Sequence, residues 1–341
     1  MVNDLVLANL GKNGFFEVDV INRSFPIFNE SIGEFSFKKT WFYISQYVKA
    51  HKIFKRDIVY IAIGLTFLGV LKDAPFILLA KLLKKQVVLH VHGNYLRTQY
   101  ELLHGLKKII FHYVLSKGDK GIVSSELLID NLTPFFSRDN IYWMPYFVEN
   151  ALNDISEKEV VNTKTIRILY LSNLMKGKGV FDVLKALEIL NDLGIGYEAK
   201  FVGGIDVENE EEVMSYLEKN PNIKYCKPIR GKEKKEIYLW ANVFALPTYY
   251  ILEGQPISLL EAMMAGNIII TTDHAGIKDI CSENNGFIVE KKSPQHIADA
   301  LKTIQQNLSS YQETMVGNHR YAKTNFRPDN FINQLSKILT D

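Results

Sequence analysis

Along this chain, short runs of β-branched and aromatic residues alternate with longer runs whose apolar positions recur every three or four residues. The first kind predicts strands and the second helices. In the first part the strand runs are FFEVDVI (15–21), DIVYIAI (57–63), QVVLHVH (86–92), GIVSS (121–125) and NIYWMPY (140–146), with helical runs at 38–54, 74–85 and 96–117. A polar stretch, ENALNDISEKEVVNTKT, predicts a linker near residues 149–164. A second series starts at Thr165 with TIRILYLS, YEAKFVGG, NIKYCKPI, VFALPTY, NIIITTD and GFIVE, interleaved with helical runs at 180–194 and 293–308. Such alternation predicts parallel sheets covered by helices. The fold class is therefore α/β, with two doubly wound domains at 1–150 and 165–325 and a C-terminal helix at 326–341 expected to pack back toward the first domain. Open parallel sheets bind ligands beyond the carboxyl ends of their strands, so two such domains facing a cleft predict a site there.

Bulk composition adds little to this and contradicts none of it. A chain of 341 residues suits two domains, and 47% hydrophobic with 23% charged residues is globular composition. The longest apolar run, Ile58 to Leu71, falls short of the roughly 20 residues of a membrane-spanning helix and reads as a buried strand leading into a loop and helix. LVLANL near the start is too short for the apolar region of a signal peptide. Cys226 and Cys281 show no metal spacing, which points to a reducing cytoplasm. Charge is uneven: residues 1–150 hold 18 Lys and Arg against 13 Asp and Glu, the remainder 22 against 25. A basic first part suits an anionic partner such as the inner face of a membrane, or is merely a set of solvated faces. Basic and aromatic residues are not interleaved as in a nucleic-acid module, so no nucleic-acid partner is expected.

The chemistry concentrates in ILEGQPISLLEAMMAG, where Glu253 and Glu261 stand in an otherwise apolar stretch. Pro256 near the first turn and Gly266 at the end bracket a helix. Glu253 then lies in the loop before the helix N-terminus and Glu261 about one turn inside. Gly254 lets a ligand approach the backbone, and the free N–H groups of a helix start favour a phosphate. The carboxylates repel that phosphate but accept hydrogen bonds from sugar hydroxyls on either side of it. The alternative is a buried glutamate satisfied within the fold. EGQPISLLEAM, with ALPTYY before it and AGNIIITTDHAGIKDI after it, resembles the E-x7-E motif of the retaining glycosyltransferases of family 4, the glycosyl transferases of group 1. The resemblance extends over nearly the whole chain and implies the GT-B fold, two Rossmann-like domains facing a cleft. It implies that Glu261 holds the nucleotide ribose, that Glu253 lies by the donor sugar, and that backbone around Gly254, Gln255, Ile257 and Ser258 faces the sugar and phosphate.

Other stretches carry the same resemblance. In LYLSNLMKGKGVFDVL, Lys178 matches a lysine that neutralises the donor diphosphate, stabilising the leaving group. Asn173 stands where the family usually has Arg, and Lys176 is a candidate to compensate. In VVLHVHGNYLR, His92 matches a histidine that reaches the donor sugar, while His90, on the same side of the strand by alternation, reads as a buried structural residue. A His-x-His pair also suits zinc, but no third ligand stands nearby. Gly203 and Arg230 are matched to positions that border the nucleotide. The family opens with a strand and a Gly-rich loop that are not recognised before FFEVDVI, where LVLANLGKNG reads as the end of a first helix. Either the sequence starts late or the sheet closes another way. The reaction implied is transfer from a nucleotide-sugar, UDP- or GDP-linked, to a glycan or lipid-linked acceptor in surface polysaccharide synthesis. No cofactor and no metal is expected, in keeping with the lack of a D-x-D pair. The expected place is the cytoplasm, peripheral on the inner face of the membrane. Two rival readings are a nucleotide-sugar epimerase of the same fold and a catalytically impaired nucleotide-sugar or glycan-binding protein.

Overall fold

A computed structural model describes residues 6–7, 9–11, 16–23, 37–157 and 165–341. The chain divides into two compact units: Met1–Pro145 with Phe331–Asp341, and Tyr146–Asn330.

In unit 1, helix α1 (Phe37–Tyr47) runs through a 3-10 turn into strand β1 (Ile58–Ile63), followed by α2 (Phe67–Leu82), β2 (Gln86–Val91), α3 (Leu96–Leu102), α4 (Gly105–Leu115), β3 (Lys120–Val123) and β4 (Ile141–Trp143). The strands form one parallel sheet in the order β1-β2-β3-β4, in register Ile58↔Gln86 and Val88↔Lys120. β2 is central, and Val87, Val88, Leu89 and Val91 are fully buried, as expected where helices cover a parallel sheet. Helix α2 starts earlier than the sequence suggests. Thr66 caps it, its Oγ1 accepting from Gly69 N–H at 3.2 Å, and Pro75 is carried inside the helix.

Two sequence expectations fail in this part of the chain. FFEVDVI shows no strand over its described residues: 16–23 make no ladder, and β1 is the edge of the sheet among the described residues. Side chains hold this segment instead. Arg56 pairs with Glu17 and Asp19, each at 2.7 Å, and Lys52 Nζ donates to the Val20 carbonyl. A cavity of about 840 Å³ lies along it, lined by Val18, Val20, Ile58, Tyr60 and Leu339 among others. The helix end expected at 5–14 falls partly outside the described residues. The second concerns the start of the linker expected at 149–164. Residues 149–157 belong to unit 2, because the few apolar side chains there, Leu152 and Ile155, are fully buried; residues 158–164 lie outside the described part.

Unit 2 comprises β5 (Ile166–Leu171), α5 (Val180–Asp192), β6 (Tyr197–Val202), α6 (Glu210–Lys219), β7 (Ile223–Cys226), α7 (Gly231–Trp240), β8 (Val243–Leu246), α8 (Ile257–Met264), β9 (Ile268–Thr272), β10 (Gly286–Val289), α9 (Pro294–Gln306) and α10 (Gln312–Asn325). Its six parallel strands run in the order β10-β9-β8-β5-β6-β7. The chain winds outward from β5 to β7, then returns to β5's other side and winds outward from β8 to β10. The strand order therefore reverses between β5 and β8, the place where open α/β sheets leave a crevice for ligands. β8 and β9 are buried at every position. On α10, Asn318 Nδ2 donates to the carbonyls of Asn267 and Asn285. This ties the helix to the segments entering β9 and β10. A last helix, α11 (Pro328–Thr340), takes the chain from unit 2 into unit 1, where Lys120 Nζ donates to the Ile338 carbonyl at 2.6 Å.

Candidate functional site

The loops leaving β5 and β8 meet at the reversal point of unit 2. Tyr249 N–H donates to the Gly177 carbonyl at 2.8 Å, and Gly179 sits at the crossing. Its φ is +76°, and a Cβ there would stand 2.5 Å from the Pro247 carbonyl oxygen, so only glycine fits without a shift. Buried Tyr170, at the end of β5, donates from its hydroxyl toward the carbonyls of Asn173 and Lys178, fixing both ends of the β5 loop. This crossing brings two of the expected residues together. Lys178 Nζ lies 2.6 Å from Glu253 Oε2, and buried Thr248 donates to the same oxygen at 3.1 Å. Both bonds fall on Oε2. Glu253 Oε1 accepts none among the described residues, and the side chain is 8% exposed.

The next residues carry the site to the start of α8. Gly254 is buried, and its carbonyl accepts from Gly276 N–H in the loop after β9. Gln255 Oε1 accepts from Tyr146 N–H at 2.7 Å. That bond fixes the amide orientation, and the buried Nε2 is left without a partner among the described residues. Pro256 precedes α8 with no side-chain cap, so Ile257 and Ser258 start the helix with N–H groups that no helical carbonyl can reach.

Glu261 lies one turn into α8, as its position in the sequence suggests, and both of its oxygens already accept a hydrogen bond within the fold. Its side chain is 1% exposed. Lys234 of α7 donates to Oε1 at 2.7 Å and Tyr238 to Oε2 at 3.0 Å, and Lys234 also reaches Glu149 at 3.0 Å. Burial raises the Glu261 pKa, opposed by the Lys234 ammonium and its hydrogen bond. Burial works to lower the Lys234 pKa, yet its bonds and charge contacts with Glu261 and Glu149 leave it raised overall. Lys234, Tyr238 and Glu149 escaped the sequence reading. The signal available was a lysine one turn before Tyr238, on the side of GKEKKEIYLW that also buries Ile237 and Tyr238.

The other expected residues are placed as follows. Asn173 and Lys176 are exposed in the β5 loop, and Arg230 is exposed just before α7. Gly203 follows β6 with φ +150°, where a Cβ would strike the Ser172 carbonyl at 1.9 Å. The chain's own β5 backbone therefore suffices to demand glycine there. His92 belongs to unit 1, just past β2, and is described within that unit. Its ring lies 4.1 Å from that of His90, as the alternation predicts. His90 is fully buried and hydrogen-bonded to Tyr60 through Nδ1. Burial lowers the His92 pKa to about 4, so near neutrality it is an uncharged hydrogen-bonding group suited to a hydroxyl more than to a phosphate. Among the described residues no three His, Cys, Asp or Glu side chains gather to hold a metal.

Residues 153–320 match the family model for glycosyl transferases group 1, a span that includes Lys178, Lys234, Glu253 and Glu261. The chain is 25% identical over 183 residues to the amylovoran biosynthesis glycosyltransferase AmsK of Erwinia amylovora, covering 51% of this chain and 44% of that protein. It is 27% identical over 133 residues to the putative teichuronic acid biosynthesis glycosyltransferase TuaC of Bacillus subtilis, covering 39% of this chain and 31% of that one. The chain thus spans less than half the length of these curated relatives. Among solved structures it is similar to HepE of Anabaena in complex with UDP, with a TM-score of 0.70 at 14% identity, covering 87% of this chain and 82% of that one. The likeness shows the fold: two parallel-sheet α/β domains of GT-B type.

Proposed function

We propose that this chain is a retaining glycosyltransferase that moves a sugar from a UDP- or GDP-linked donor to a glycan or lipid-linked acceptor, in surface polysaccharide synthesis at the inner face of a membrane. One observation carries this reading. Where the strand order reverses, Glu253 offers an unused carboxylate oxygen two residues from a buried, unused amide N–H₂ of Gln255, at the uncapped start of α8 and paired with Lys178. An acceptor, a donor, a helix N-terminus and a cation in one loop suit a sugar diphosphate. The names of the relatives, and the UDP-glucose held by HepE, support the same substrate class.

In this reading the Lys178–Glu253 pair is exchanged on binding. The ammonium turns to the diphosphate and the carboxylate to the sugar hydroxyls. Glu261 accepts the ribose hydroxyls through the lone pairs that Lys234 and Tyr238 leave free, since a carboxylate has about four acceptor sites. The bond from the sugar's anomeric carbon to the phosphate oxygen breaks. The acceptor oxygen bonds to that carbon on the same face, and its proton passes to the leaving phosphate. Lys178 stabilises the charge that develops there. Retention rests on the resemblance of the E-x7-E stretch.

Titration calorimetry with UDP, GDP and UDP-glucose tests the assignment. Glu261→Ala is expected to weaken the free nucleotide about tenfold or more, the effect of losing at least one charge-assisted bond. Glu253→Gln is expected to weaken the sugar nucleotide more than the free nucleotide. Equal losses for both ligands in Glu253→Gln, or no nucleotide binding by the unaltered chain, would falsify the reading.

A further inference from the structure

The turn that carries Glu253 is held from the side by β9 and the loop after it. Thr271 Oγ1 donates to the Leu246 carbonyl at 2.8 Å, and Thr272 Oγ1 donates to the Thr248 carbonyl. Beyond the strand, His274 Nε2 lies 2.8 Å from the Tyr250 carbonyl oxygen. Gly276 N–H then donates to the Gly254 carbonyl at 3.0 Å. The bonds thus follow the β8 loop from its start to the residue after Glu253. The Tyr250 carbonyl is used twice, because it also accepts from the N–H of Glu253 itself at 2.8 Å. That second bond closes the turn of residues 250–253. A carbonyl only accepts, so the histidine must present Nε2–H to it. Burial lowers the His274 pKa, opposed by the bond to Tyr250. Near neutrality the ring is therefore uncharged, with its proton on Nε2 and its lone pair on Nδ1.

The loop after β9 is shaped to deliver this ring. Ala275 has a φ of +50°, a left-handed conformation uncommon for a residue other than glycine and kept only where the surroundings hold it. It turns the chain between His274 and Gly276, so that one of them donates just before Glu253 and the other just after. The Glu253 side chain is pinned at Oε2 by Lys178 and Thr248. The place of Oε1 is set by that pin and by the backbone from which the side chain hangs. We propose that His274 is a positioning residue for Glu253. Through the Tyr250 carbonyl it holds the turn that aims Oε1 at the donor sugar. The inference rests on the reading of Glu253 as the sugar-binding carboxylate in the proposed function, and it assigns His274 no contact with the reacting atoms. A packing role alone would not bring a ring nitrogen to the carbonyl that the Glu253 N–H already uses. The charged groups that act on the ring are Lys291, Glu253 and Lys178, which places it beside the Lys178–Glu253 pair.

Titration calorimetry of the full chain with UDP-glucose and GDP-mannose, each against its free nucleotide, tests the proposal. His274→Ala should weaken the bound sugar nucleotide about fivefold, the worth of one hydrogen bond, and leave the free nucleotide unchanged. His274→Gln, whose Nε2 can donate to the same carbonyl, should restore the affinity. In a Glu253→Gln background His274→Ala should add no further loss, because substitutions that act through one group are not additive. Should His274→Ala melt below the assay temperature, His274→Asn, whose amide stops short of the carbonyl, takes its place. Amide exchange at Glu253, read without ligand, should quicken in His274→Ala and slow again in His274→Gln. The proposal is overturned if His274→Ala weakens both ligands equally, if His274→Gln restores nothing, or if the two losses add. Sugar-nucleotide binding that His274→Ala leaves unchanged sinks this inference and leaves the proposed function standing. No binding of any of the four ligands by the unaltered chain sinks the proposed function. Exchange at Glu253 then decides the positioning by itself, an unchanged rate overturning it.

Discussion

β8 of unit 2 and β1 of unit 1 are both short parallel strands at the heart of their sequence motifs, yet their surroundings differ. β8 has a strand on each side and is buried at every position. β1 pairs on one side only among the described residues and is partly exposed at four of its six positions. Along β1 runs the cavity of about 840 Å³, with residues 16–23 held nearby through side chains instead of a ladder. The comparison teaches where each unit's stability comes from. Unit 2 sets β8 inside its sheet and buries charge at the site, with Lys234, Glu261 and Glu149 in one cluster. Unit 1 has β1 at an edge among the described residues and puts apolar side chains such as Leu82 and Leu106 on its surface. Unit 2 is therefore expected to unfold as the firmer of the two, with its weak point in an ion cluster; unit 1 is expected to loosen first along β1.

The largest effect should come from breaking that cluster. Lys234→Ala leaves Glu261 buried without its counter-ion, which costs about 3–5 kcal/mol. Differential scanning calorimetry should show the unit 2 transition falling while that of unit 1 stays in place. Lys234→Met combined with Glu261→Leu should recover most of the stability, because a well-packed apolar pair avoids the desolvation of both charges, but not nucleotide affinity. If Lys234→Ala lowers both transitions together, the two units do not unfold separately and the comparison fails.

Acid should strike the other unit. Burial lowers His92 to about 4 and His90 well below its ordinary value. Each is neutral in the fold and takes up a proton on unfolding, so their contribution is full above about pH 6.5. For His92 it is lost as pH falls toward about 4. In unit 2 the effects oppose one another: burial lowers His274 but raises Glu261 and Asp182, and a raised carboxyl makes the fold more tolerant of acid. The unit 1 transition should therefore fall more steeply between pH 7 and 5, and His92→Gln should flatten that fall. A steeper fall in unit 2 would reverse the assignment.

What the sequence shows and what it hides follow the same division. The central strands of unit 2 were legible because their runs are buried on both faces and bounded by turn residues, as in NIIITTD. Glu253 and Glu261 were legible because charges in an otherwise apolar stretch stand out. Lys178 depended on its motif, KGKG, whose last glycine proves necessary to cross the β8 loop. Lys234 was not legible: its partners Glu149 and Glu261 lie 85 and 27 residues away, and no spacing announces a contact made by packing α7 beside α8. Gly203 is ambiguous in a different way, because a close approach to its own backbone and one to a ligand leave the same residue in the sequence. The start of the linker misled because composition averages over ENALNDISEKEVVNTKT, whereas Leu152 and Ile155 within it are buried.

FFEVDVI is the most instructive failure, and it supports the smallest prediction. Its alternation is that of a strand, but Val18 and Val20 are 37% and 38% exposed, and Glu17 and Asp19 spend their charge on Arg56. Exposed ion pairs contribute little, since water and salt screen them and two long side chains must be held still. Arg56→Gln should therefore leave the unit 1 melting temperature unchanged within error. The segment itself should respond, because the Arg56 contacts fasten its start, with the Lys52 bond to the Val20 carbonyl and the Arg23–Asp73 pair holding the rest. Amide exchange at residues 16–23 should quicken in Arg56→Gln, while β1, paired with β2 from Ile58 to Ile63, keeps its protection. A strand hidden in this segment would behave differently. Its amides would be slow in the unaltered chain, and losing Arg56 would neither expose them nor spare the melting temperature. Slow exchange at 16–23 that survives Arg56→Gln would mean that β1 has a second neighbour and that the open edge of unit 1 is closed in solution.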